Sequence, residues 1–117
     1  MAPLTDRNLR AAYRNALANR RFEGYVNWTE VAHRWVLREL DGVTPDAVVD
    51  LMWEHVDGEC EIDQVPERRP EWPQHQFHYD LRLVIADRQV YIETRLLCDN
   101  LSDPDDPTIL VANIHWK

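Results

Sequence analysis

The sequence predicts an α+β domain in which N-terminal helices pack on one face of a small antiparallel β-sheet, a meander. Three observations predict it. Between Phe77 and Cys98 apolar and polar residues alternate on both sides of a short break at Asp87-Arg88, the pattern of two half-buried strands joined by a tight turn. Upstream, three stretches carry apolar residues at helical spacing. Downstream, Thr108 to Lys117 reads as a further strand. Helices first and strands afterwards define the class.

The 117 residues suit one domain, 1–117, able to bury about two-thirds of its unfolded surface. Apolar residues at 44% and charged residues at 29% describe a folded chain, and no apolar run approaches the roughly 20 residues of a membrane span. Asp6, Arg7, Arg10 and Arg14 interrupt the start of the chain, which therefore lacks a signal-peptide core. Cytoplasmic residence without membrane attachment is expected, with Cys60 and Cys98 reduced. The net charge of -8 disfavours nucleic acid unless basic residues cluster. They do so in Arg7, Arg10, Arg14, Arg20 and Arg21, whereas Asp99, Asp103, Asp105 and Asp106 load one late loop.

The first helix is expected from about Asp6 to Arg20, with Thr5 as cap and Leu9, Ala12, Tyr13, Ala16 and Leu17 on its apolar stripe. Asn27 and Glu30 have the spacing of a capping box for a second helix, whose stripe of Trp28, Val31, Ala32, Trp35, Val36 and Leu40 runs up to Gly42. Thr44-Pro45-Asp46 opens a third helix, which reaches about His55 and stops at Gly58. His33 and His55 read as packed or surface histidines. Cys60 to Val65 is expected to form a short strand, and the proline-rich segment from Pro66 to Pro73 an exposed loop.

With Asp87-Arg88 as the hairpin loop, Leu83 lies opposite Ile92, Arg82 opposite Glu93 and Asp80 opposite Arg95; a looser loop of about four residues is the alternative. Asp99 to Pro107 lacks the ligand alternation and central glycine of a calcium loop. The last strand carries apolar residues on both parities, which predicts at least partial cover on both faces. Trp35, Leu51, Tyr79, Leu81, Leu83, Ile92, Leu96 and Ile114 are the expected core.

The face turned away from the helices carries His78, Asp80, Arg82, Tyr91, Glu93 and Arg95, with His115 joining if the last strand neighbours the hairpin. Imidazole, carboxylate, phenol and guanidinium are the groups of acid-base catalysis and phosphate recognition, and equally of an ordinary wetted sheet face. His75 and His78 lack the paired spacing of a zinc motif, and Asp80, Glu93 and Arg95 depart from the D…E-x-K pattern of metal-dependent nucleases by their arginine. No metal or cofactor is therefore expected. Three glycines in the chain provide no phosphate loop, and no G-x-S-x-G elbow is present.

The order of elements, with Ile62-Asp63-Gln64-Val65, Phe77-His78-Tyr79-Asp80, Tyr91-Ile92-Glu93-Thr94 and Ile114-His115, resembles the barnase/EndoU/colicin/RelE group of small metal-independent ribonucleases, many of them toxins of toxin-antitoxin pairs. The resemblance covers roughly residues 44 to 117. It implies cleavage of RNA by 2′-hydroxyl attack, with Arg82 and Arg95 binding phosphate beside Tyr91, His78 or Glu93 acting as base and His115 as acid. RNA and a cognate antitoxin are the partners it implies. The acidic composition supports another expectation, a noncatalytic binding module such as an immunity protein or antitoxin facing a basic partner. A small-ligand protein using the sheet face as a pocket floor is the third.

Overall fold

The computed structural model describes residues 2–73, 75–97 and 107–117. Among them the elements run β1 (Ala2–Pro3), α1 (Arg7–Ala18), β2 (Val26–Trp28), α2 (Glu30–Glu39), α3 (Pro45–Asp57), β3 (Asp63–Pro66), β4 (Phe77–Ile85), β5 (Arg88–Leu97) and β6 (Thr108–Trp116). The strands make one open sheet in the order β1-β3-β4-β5-β6-β2. All its pairings are antiparallel except β2 with β6. The α+β class is as the sequence predicts; the very short β1 and β2, which extend the meander at both edges, were not expected.

Each helix starts where a short oxygen-bearing side chain takes over an otherwise unpaired amide. Asp6 accepts from the amides of Asn8 and Leu9 at 2.9 and 3.0 Å and so, rather than Thr5, caps α1. Thr29 accepts from Ala32 at 3.2 Å and caps α2, which leaves Asn27 and Trp28 in β2 rather than at a helix start. Thr44 and Pro45 open α3 as expected, and Gly58 closes it. The helices cover one sheet face, α1 and α2 packing on β6 and α3 on β4. Tyr79, Leu81, Leu83, Ile92, Leu96 and Ile114 are buried in the core as expected, while Trp35 and Leu51 pack only partly buried at its rim.

The hairpin register differs from the expected one by two positions: Leu83 pairs with Val90, Leu81 with Ile92 and Tyr79 with Thr94. The turn decides this. Ala86 and Asp87 both adopt left-handed backbone angles, φ +54° and +63°, the requirement of the central pair of a type I′ turn, so Ile85 pairs with Arg88 around them. A shift of two preserves side-chain parity, and every residue keeps its expected face. The polar partners do change. Arg82 lies opposite Tyr91 rather than Glu93, and Asp80 opposite Glu93 rather than Arg95.

The double apolar parity of β6 also has a different cause from the one expected. Glu93 pairs with Asn113 and Thr94 with Val111, so Ala112 is the extra residue of a bulge. Ile114 on one side of it and Val111 and Ile109 on the other all turn to the core. The acidic segment 99–106 and Cys98 lie outside the described residues.

Candidate functional site

Strand pairing assembles the open face in rows. In the central row Asp63 of β3 lies opposite Asp80 of β4, which lies opposite Glu93 of β5, which lies opposite Asn113 of β6. In the next row Arg82, Tyr91 and His115 are successive neighbours. His78 sits beyond Asp80 on the other side, opposite Val65. All seven polar residues expected on this face are therefore on it, and Asp63 is added by the extension of the sheet through β3.

Carboxylates directly opposite one another destabilise a sheet unless cations intervene. Arg82 spans Asp63 through two contacts, Nε to Oδ2 at 3.1 Å and Nη2 to Oδ1 at 3.3 Å. Glu93 Oε2 accepts from Arg69 Nη2 at 2.6 Å and from Arg95 Nη1 at 3.0 Å. Asp80, 5% exposed, meets His78, whose Nδ1 lies 2.7 Å from Oδ1. Burial pushes the Asp80 carboxyl above its usual range; His78 opposes the shift, and the charges of Glu93 and Asp63 add to it. Tyr91 is likewise raised, by burial first and then by Asp63 and Asp80, and its hydroxyl approaches Asp63 Oδ2 at 3.5 Å.

The segment between β3 and β4 was expected to be exposed, yet part of it folds back over this face. The Arg95 side chain is fully buried, paired through Nη2 with Glu67 and lying 4.7 Å from the centroid of the Trp72 ring. Among the described residues its buried Nε has no hydrogen-bond acceptor. Burial alone would raise the Glu67 carboxyl, but hydrogen bonds from the amide and side chain of Arg69, with the charges of Arg95 and Arg69, bring it below the usual value. Nothing local in the sequence of this segment marks Glu67, Arg69 and Trp72 as cover, because the contacts join them to β5. Asp63 was more legible, alternating with the buried Ile62 in the expected short strand.

The expected site residues thus divide. Arg95 is enclosed, and its assignment as a phosphate ligand gives way to a structural one. His78 and His115 do not flank one phosphate: they stand four residues apart along the sheet and two strands apart across it, a Cα separation of about 16 Å from strand geometry. Arg82, Tyr91 and His115 remain together at the open end. The His115 ring stacks on Tyr91 with centroids 5.5 Å apart and planes 11° from parallel, and the Arg82 side chain is 39% exposed. Glu93 lies one row from His115, on the neighbouring strand. The histidines read as packed or surface groups behave so, His33 edge-on to Trp28 and His55 Nε2 2.8 Å from the Glu61 carbonyl.

In comparison with known proteins, no family model, curated protein or solved structure matches the chain. Among the described residues no helix is long and apolar enough to cross a membrane.

Proposed function

We propose that the protein is a metal-independent endoribonuclease of toxin type, acting in the cytoplasm, with its centre at the open end of the sheet face. The observation that carries this reading is the row Arg82, Tyr91, His115, which presents a guanidinium, a phenol and an exposed imidazole on three adjacent strands. In this reading Arg82 holds the non-bridging oxygens of the scissile phosphate. Glu93 takes the proton of the 2′-hydroxyl as that oxygen attacks phosphorus, and His115, held by stacking on Tyr91, returns a proton to the departing 5′-oxygen. The products are a 2′,3′-cyclic phosphate and a free 5′-hydroxyl. His78, oriented by Asp80, is too far along the sheet to share that phosphate and takes no part.

The test is incubation of purified protein with RNA in EDTA. Cleavage to 2′,3′-cyclic ends, loss of about 10²-fold or more in rate for His115→Ala and for Arg82→Ala, and intact DNA are the expected results. His78→Ala should retain activity. RNA surviving at high protein concentration would remove the reading.

A second reading, the noncatalytic acidic binding module, is favoured by one specific observation: the guanidiniums of Arg69, Arg82 and Arg95 are each bound to carboxylates, which takes positive charge away from the face. Inactivity toward RNA together with salt-sensitive binding to a basic protein partner would favour it.

A further inference from the structure

The closed end of the sheet face holds a second arrangement, which shares Glu93 with the cleavage reading and adds His78 and Asp80, two residues that reading does not use. His78, Asp80 and Glu93 each offer a ligand atom, and the three atoms lie within 4.8 Å of one another. Central strands hold all three: Asp80 and Glu93 are direct cross-strand partners of β4 and β5, and His78 shares Asp80's face two residues away. We propose that this triad binds a single divalent transition-metal ion such as zinc.

The chemistry of the donors selects the ion. One imidazole and two carboxylates suit zinc, manganese or iron(II), whereas magnesium and calcium prefer oxygen alone. Three protein ligands leave at least one position for water.

The surroundings supply a second argument, independent of the spacing. Among the described residues Arg69 and Arg95 pair with Glu67 and Glu93, and Arg82 pairs with Asp63 and, at 3.8 Å, with Glu61. Asp80, the acid in the middle of the row, has His78 and no guanidinium as its ion-pair partner among the described residues. A cation between Asp80 and Glu93 would supply what the row lacks. Among the described residues the arginine contacts to Glu93 are made to its Oε2. Arg69 and Arg95 then serve as outer partners that fix the carboxylate, as hydrogen-bonded neighbours commonly do for metal ligands. Binding at this end does not require that the protein cleave RNA.

Isothermal titration of the purified full chain with zinc chloride tests the proposal, with cobalt chloride as a spectroscopic probe. The expected result is one ion per chain, a rise in melting temperature with metal, and cobalt visible bands of nitrogen and oxygen ligation without a sulfur charge-transfer band. His78→Gln and Glu93→Gln should each weaken binding by more than about 10-fold, since even outer-partner losses cost that much. Far-UV circular dichroism confirms that each variant is folded; if either is not, Asp80→Asn provides the same reading. Cys60→Ser should bind as the parent does. Absence of saturable binding, retained affinity in the folded triad variants, a sulfur band, or loss of binding in Cys60→Ser would each overturn the proposal. RNA cleavage in EDTA is read separately, so failure of one leaves the other standing.

Discussion

The guanidinium of Arg95 and the carboxylate of Glu67 meet beneath Trp72 with no more than 1% of either side chain exposed. Taking two charges out of water is costly, and their attraction offsets that cost only while both remain. Removing Glu67 leaves the buried Arg95 with Glu93 as its carboxylate partner among the described residues. Glu67→Ala is therefore expected to destabilise the fold by about 3–5 kcal/mol, measured by urea unfolding. The double variant Glu67→Leu/Arg95→Met should recover most of that loss, because it removes both charges and fills the space. A double variant as unstable as the single one would show that Arg95 is held mainly by Glu93.

The lowered carboxyl of Glu67 gives a pH dependence whose sign follows from linkage. Its folded-state value lies below the unfolded value near 4.5, so the folded protein holds this proton less tightly than the unfolded chain does. The resulting stability is present above pH 4.5 and lost as pH falls through the folded value. Melting temperatures followed from neutral pH into this acid range should decline less steeply for Glu67→Gln than for the parent. Equal slopes would count against the assignment.

At the alkaline end Tyr13 acts in the opposite sense. Thr94 Oγ1 donates to the Tyr79 carbonyl at 2.6 Å, so the Tyr13 hydroxyl 2.8 Å away is the donor to Thr94, and burial raises its pKa well above the ordinary value of 10.0. The folded state keeps this proton more tightly than the unfolded one. Its contribution is complete below pH 10 and is lost as pH rises beyond it. Tyr13→Phe should be less stable by about 0.5–1.5 kcal/mol at neutral pH, and the gap to the parent should narrow in strong alkali.

The hairpin turn stores strain at residues with side chains. Left-handed backbone costs an ordinary L-residue about 1–2 kcal/mol, and Asn-Gly is the pair that suits a type I′ turn. Ala86→Asn/Asp87→Gly is expected to raise stability by about 1 kcal/mol in chemical denaturation while leaving the pairing of Leu81 with Ile92 unchanged. A loss of stability would indicate that the parent side chains make compensating contacts.

How far the sequence could be read depends on the range of the forces involved. Alternation in Phe77–Ile85 and Arg88–Leu97 depends only on which side of a strand meets the core, so the faces and most of the core were legible. Register depends on turn angles, and Asp87-Arg88 is as plausible a loop by composition as Ala86-Asp87; the two-position error exchanged the polar partners without moving any residue to the other face. The bulge at Ala112 was hidden because a parity change at one residue resembles a strand with two apolar faces. β1 and β2, of two and three residues, are too short to show a period. In the candidate site, residue types and their face were legible, but the enclosure of Arg95 was not, since Glu67 and Trp72 reach it from a segment whose own pattern is that of a solvent loop.

The sheet's two edges have a consequence for the timing of folding. β2 sits beside β6, with Val26 paired to Ile109, and β1 sits beside β3, with Ala2 paired to Gln64. Both edge strands belong to the first 28 residues, so during synthesis each waits for a partner made long after it, β2 for one of the last segments of this sequence. Such distant closures slow folding, because chain entropy is lost before the contacts that compensate for it can form. The nascent protein therefore has its helices early and its sheet late. During that interval the apolar faces of α1, α2 and α3 lack the β4–β6 surface that covers them, which makes this the stage at which a chaperone has most to do.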